Sequence, residues 1–90
     1  MIFLTTWQPT AFDRMQDLVR DFPQLRTEFI YALRLLTTEL NRRGDVWGES
    51  RHERYRLGFI GVLQVLIRLD EDDPIVEVVD LKLRRNALPG

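Results

Sequence analysis

The chain has 90 residues, 44% of them hydrophobic and 30% charged, with 13 basic against 14 acidic side chains and a formal net charge of −1. With no Cys, one His (His52) and one Lys (Lys82), it has no disulfide framework, thiolate metal site, thiol nucleophile or multi-histidine zinc centre within one chain, and nothing in it calls for a cofactor or a metal. The length suits one domain over residues 1–90, the hydrophobicity is too high for disorder, and the balanced charge argues against a general nucleic-acid coat.

The first element, Ile2 to Trp7, is β-branched and aromatic and predicts a short strand. Pro9-Thr10 ends it, and Thr10 is the expected N-cap of a helix with Asp13 in its first turn. Phe12, Met15, Val19 and Phe22 recur at three- and four-residue steps and predict its buried face. Asp21-Phe22-Pro23 reads as a tight corner, with a second helix starting near Asp21 or Phe22. In that helix Leu25, Phe29, Ala32, Leu33, Leu36 and Leu40 fall on one core-facing stripe. Arg42 and Arg43 complement the dipole of the last turn, and Gly44 is the expected C-cap. Tyr31 and Leu35 lie off the stripe and are expected to pack on the first helix. Trp47, between Gly44 and Gly48, is expected to form a lid over the edge of the core.

From Arg51 the period changes to two: Tyr55, Leu57 and Phe59 alternate with Arg54, Arg56 and Gly58. Gly61 marks a turn, and Leu63, Val65, Ile67 and Leu69 form the apolar half of the next strand. Residues 70–74 are a turn cluster, and a last strand runs from Ile75 to about Leu83. The order strand, helix, helix, strand, strand, strand predicts an α+β fold in which a helical hairpin covers one face of an antiparallel meander. The helices should cover the face with Leu63, Val65, Ile67 and Leu69. The open face should then carry Arg54, Arg56, Gln64, Arg68, Lys82 and Arg84, with the strand register as the deciding assumption. The longest apolar stretch, Leu57 to Ile67, is 11 residues broken by Gln64, short of the ~20 a membrane helix needs. Residues 1–6 lack the basic start and cleavage-type ending of a signal peptide, so the expected location is the cytoplasm.

The near-zero net charge hides a division. Between Arg42 and Arg68 six Arg face three acids; from Asp70 to Asp80 there are six acids and no base; then come Lys82, Arg84 and Arg85. An open sheet face collecting Arg could hold phosphate through guanidinium forks, although Arg also serves simply to cover apolar surface. The acidic turn 70–73 lacks the spaced ligands and glycine of a calcium loop and reads as a solvated hairpin turn. Ser50 and His52 have no nucleophile elbow around them and read as surface residues.

The element order, the segment TTWQPTAFDRM and the run GESRHERYRLGFIGVLQVLIRLDEDDPIVEVVDLKLRR together resemble the RelE/ParE toxin superfamily of bacterial toxin–antitoxin systems over nearly the whole chain. The resemblance implies one of two activities. RelE-like members are ribosome-dependent messenger-RNA endoribonucleases, and ParE-like members inhibit DNA gyrase. In both, a cognate antitoxin holds the toxin inactive. By position, Arg56 matches a basic site on the family's first meander strand, and Arg84 matches the Arg that ends its last strand. Were the chain a nuclease, Arg54, Arg56 and Arg84 would stabilise phosphate, with Lys82 or His52 transferring protons. Gln64 stands where many members carry a catalytic Arg, Ile67 where Tyr is common, and no Tyr follows Arg84. These departures favour a toxin-like protein that binds a macromolecular target, or a diverged interaction module, over a ribonuclease with an atypical site, and the binding toxin is the first expectation. A homodimer is left open.

Overall fold

The computed structural model describes residues 2–70 and 72–86. Strand β1 (Leu4–Trp7) leads into helix α1 (Pro9–Asp21), a single 3-10 turn (Pro23–Leu25) and helix α2 (Arg26–Arg43). Strands β2 (Glu49–Ser50), β3 (Tyr55–Ile60), β4 (Leu63–Leu69) and β5 (Ile75–Leu83) follow. This is the expected α+β layout, with the two-residue β2 as an added edge. The sheet order is β1-β5-β4-β3-β2. β1 pairs parallel with β5, and the other pairs are antiparallel.

Helix α1 starts earlier than the Thr10 cap predicts. Gln8 is the N-cap and Pro9 lies in the first turn, where no acid is present. Pro fits there because its φ is pre-set and the N–H it lacks would have no helical partner. Of the helix's predicted stripe, Met15 is buried and Val19 and Phe22 pack on the core, but Phe12 is 54% exposed and the buried Ala11 stands in its place, with Leu18 alongside. Against β5 the small Ala11 permits close approach, and Phe12 turns to solvent.

Helix α2 follows its predicted stripe: Leu25, just ahead of it, and Phe29, Ala32, Leu36 and Leu40 are buried, with Leu33 packed at their edge. Leu35 also packs on the core, but Tyr31 is exposed rather than covered by α1. Gly44 follows α2 with φ −57°, so it is not a left-handed cap. Its reason is proximity: a Cβ there would run into Val76 and sit 2.8 Å from the Leu40 carbonyl oxygen. Among the described residues, no helix is long and apolar enough to cross a membrane.

Leu63, Val65 and Ile67 of β4 and Val76, Val78 and Leu81 of β5 form the sheet's side of the core. Each such side chain stabilises the fold by about 1.5–3 kcal/mol through removal from water. In β5 the change from Val76/Val78 to Leu81/Leu83 comes from a bulge. Ile67 pairs with Val78 while Leu66 pairs with Asp80, leaving Val79 as the extra residue.

The register of β3 overturns its part of the predicted open face, while Gln64, Arg68 and Lys82 lie there as expected. Ile60 and Leu63 face each other across the two-residue turn Gly61-Val62, and Gly58 pairs with Val65 and Arg56 with Ile67. Partners across a ladder share a face, so Arg56, Gly58 and Ile60 lie on the helix side. Tyr55, Leu57 and Phe59 therefore point to the open side. The apolar alternation in β3 is real, but its inward position is taken by Trp47. That indole is buried over Gly58, where a Cβ would lie 2.6 Å from ring atom Cη2.

Candidate functional site

The open face is built from alternate residues of four strands. β3 contributes Tyr55, Leu57 and Phe59, and β4 contributes Gln64, Leu66 and Arg68 opposite them. β5 adds Ile75 and Glu77 before its bulge and Asp80 and Lys82 after it, and β1 adds Leu4 and Thr6. Leu57 and Leu66 are directly paired, and Leu57, Gln64, Leu66, Asp80, Leu81 and Lys82 line a depression of about 170 Å³.

The two ends of this face differ in charge. At the β3–β4 turn, Lys82 stands opposite Gln64, and Arg84 follows at the end of β5. The Arg84 guanidinium lies 4.9 Å from the centre of the Phe59 ring and donates to the Gly61 carbonyl at 3.2 Å. The ring face attracts the cation and fixes its direction. Asp80, the nearby acid, accepts the Leu81 N–H at 2.8 Å and lies 3.9 Å from Arg14.

At the other end, Arg68 is held by Glu77 through two hydrogen bonds of 3.1 and 2.9 Å, and Gln8 donates to the same carboxylate oxygen at 3.2 Å. The turn beyond is acidic. Asp70 accepts the backbone N–H groups of Asp73 and Asp72, each at 2.9 Å. These bonds, the one from Asp73 first, hold its carboxyl below the usual carboxylate range, with Arg68 and Arg54 adding to the effect. This is the side-chain-capped turn expected of such a sequence. Glu71 and residues 87–90 lie outside the described residues.

The five basic residues singled out in the sequence therefore fall into separate places. Lys82 and Arg84 share the open face at one end. Arg54 is at the far end, its carbonyl accepting the Leu69 N–H at 3.0 Å. His52 projects from the turn between β2 and β3, 85% exposed on its side chain and 3.7 Å from Glu53. Ser50 ends β2 and is exposed. Arg56 is on the opposite face from Lys82 and holds a loop in place. Its Nε donates to the Trp47 carbonyl at 2.7 Å and its Nη2 to the Gly48 carbonyl at 3.0 Å. Trp47 is the lid its position predicted.

The predicted face for β3 missed Leu57 and Phe59. The signal that finds them is hairpin arithmetic. A two-residue turn at Gly61-Val62 makes Ile60 and Leu63 partners, so a buried Leu63 puts Ile60 inside and Phe59 outside.

The fold is RelE-like: two helices back a small, mainly antiparallel sheet whose other face is open. The likeness is specific enough to measure. A chain of the RelBE2 toxin–antitoxin complex of Mycobacterium tuberculosis superposes with a TM-score of 0.65 at 16% identity, over 93% of this chain and 100% of that one. By sequence, no family profile and no curated protein matches the chain.

Proposed function

We propose that the protein is the toxin-like member of a bacterial type II toxin–antitoxin module. In this reading it works in the cytoplasm by binding a macromolecular target and is neutralised by a cognate antitoxin. The observation that carries this is the fold likeness, over 93% of the chain, to a chain of a toxin–antitoxin complex. Binding is preferred over covalent chemistry because Gln64 faces Lys82 where a second cation would serve phosphate transfer, and because His52 is at the far end of the sheet. A paired apolar surface, Leu57 with Leu66, flanked by fixed charges suits a protein or ribonucleoprotein target.

Expression of the chain alone in a bacterium should arrest growth, and co-expression of a small neighbouring gene should relieve the arrest. Normal growth with the soluble protein abundant would overturn the proposal. A second reading, messenger-RNA cleavage, draws on one observation: Lys82 and Arg84 lie at the same end of one face, with Phe59 beside them as a surface on which a base could stack. Intact messenger RNA in arrested cells supports binding. Cleaved messenger RNA that becomes intact with Arg84→Ala supports the nuclease.

A further inference from the structure

We propose that the open sheet face is a self-complementary docking surface for a second copy of this chain. The two copies pack face to face with their strands antiparallel, about a two-fold axis lying in the interface and perpendicular to the strands. This goes beyond the toxin-like reading and does not depend on it.

The argument begins with the layout of charge. Lys82 and Arg84 lie at the end of the face nearest the β3–β4 turn. Among the described residues, neither has a carboxylate within ion-pair distance, and the nearby Asp80 is 3.9 Å from Arg14. Asp70, Asp72 and Asp73 lie at the opposite end, beside Arg54 and beyond Arg68, which Glu77 pairs, so that acids are in excess there. The six residue steps of β4 between the Leu63↔Leu83 and Leu69↔Val76 pairs separate the ends by roughly 20 Å at ~3.3 Å per residue. That is about twice the ~8–10 Å over which salt screens exposed charges. The ends therefore do not neutralise each other within one copy.

Between them runs an apolar strip on β3 and β4, with Asp80 beside it on β5. Leu57 and Leu66 are paired, and Phe59 leaves 55% of its surface in solvent. Such a strip is stabilised by any apolar cover, so the charges decide the orientation. An axis parallel to the strands would set basic end on basic end. An axis perpendicular to them sets each basic end on the partner's acidic end, twice over, as an isologous interface requires. Two sheets packed this way lie about 10 Å apart with side chains interleaved, which Leu57, Phe59 and Leu66 can fill. The area offered by so short a sheet places the association among weak, reversible ones. Gln64, Lys82 and Arg84 would be covered in it.

The test is sedimentation of the full chain across micromolar to millimolar protein, at low and high salt, with two charge-reversed variants. The chain itself should dimerise with concentration, and raising salt should weaken the dimer about tenfold or more. Lys82→Glu/Arg84→Glu and Asp72→Lys/Asp73→Lys should each be monomeric alone and should form a one-to-one dimer when mixed, because both contacts are then restored. Recovery on mixing also shows that neither variant is merely misfolded. A chain that stays monomeric throughout, a dimer indifferent to salt, or variants that fail to pair on mixing would each overturn the proposal. So would a monomer whose Leu57 and Leu66 side-chain methyl signals shift only when a co-expressed partner binds, since that would assign the face to a different protein.

Discussion

Both faces of the sheet carry apolar residues, and they use them differently. On the helix side Leu63, Val65, Ile67, Val76 and Val78 are fully buried, every position is specified by a neighbour, and even a glycine is required where Trp47 crosses β3. On the open side Leu57, Phe59 and Leu66 sit among Gln64, Lys82, Asp80 and the Arg68–Glu77 pair, with water still reaching them. The first face is constrained by packing. The second is free to be shaped by what it meets. Mutations should therefore separate the two faces by size and kind of effect.

The largest contrast is within β4 itself. Ile67→Ala should lower the unfolding free energy by about 2–5 kcal/mol, the usual cost of an unfilled core position. Leu66→Ala, one residue away on the open side, should cost less than about 1 kcal/mol. Urea midpoints measure both, and equal losses would mean that the open face is in fact covered. Gly58→Ala comes next. The added methyl would push into the Trp47 ring, and a loss of about 1–3 kcal/mol is expected from overpacking, with a change in Trp fluorescence marking displacement of the lid.

Arg56→Ala removes two hydrogen bonds from a guanidinium to the Trp47 and Gly48 carbonyls and should cost about 1–3 kcal/mol. Hydrogen exchange should speed up in residues 45–50 and stay unchanged around Lys82. Faster exchange at both places would join Arg56 to the open face after all.

The smallest effect is on pH dependence. Asp70 titrates lower in the folded chain than in the unfolded one because Asp73 and Asp72 donate to its carboxylate. Its contribution is thus present above the unfolded carboxyl range near 3.8 and is lost as pH falls through the lower folded value. Asp70→Asn keeps an acceptor without the titration, so the melting temperature should fall less steeply with acid. An unchanged acid limb would show that the turn does not matter to stability.

Much of the fold was legible because its strongest signals are local. The stripe from Leu25 to Leu40 and the Leu63/Val65/Ile67 alternation are each read from one segment, and the core follows them. The errors came where a second segment decides. Phe12 fits an apolar stripe on its own helix, but its neighbour Ala11 takes the contact with the sheet. Tyr55, Leu57 and Phe59 form a clean inward pattern until Trp47, from a loop eight residues upstream of Tyr55, fills that space. The candidate site suffered most, because which face Arg56 occupies depends on register, and one residue of phase turns every side chain over.

The parallel pairing of β1 with β5 has a consequence in time. Strand β1 completes its ladder only with β5, made about 70 residues later, Thr6 opposite Glu77 and Trp7 opposite Val78. At roughly 5–20 residues per second of translation, Trp7 waits about 4–14 s for its partner. Until then β4 lacks its β5 neighbour, and the Lys82 end of the open face has yet to be made. Whatever this surface does, the nascent chain cannot do it before β5 is complete.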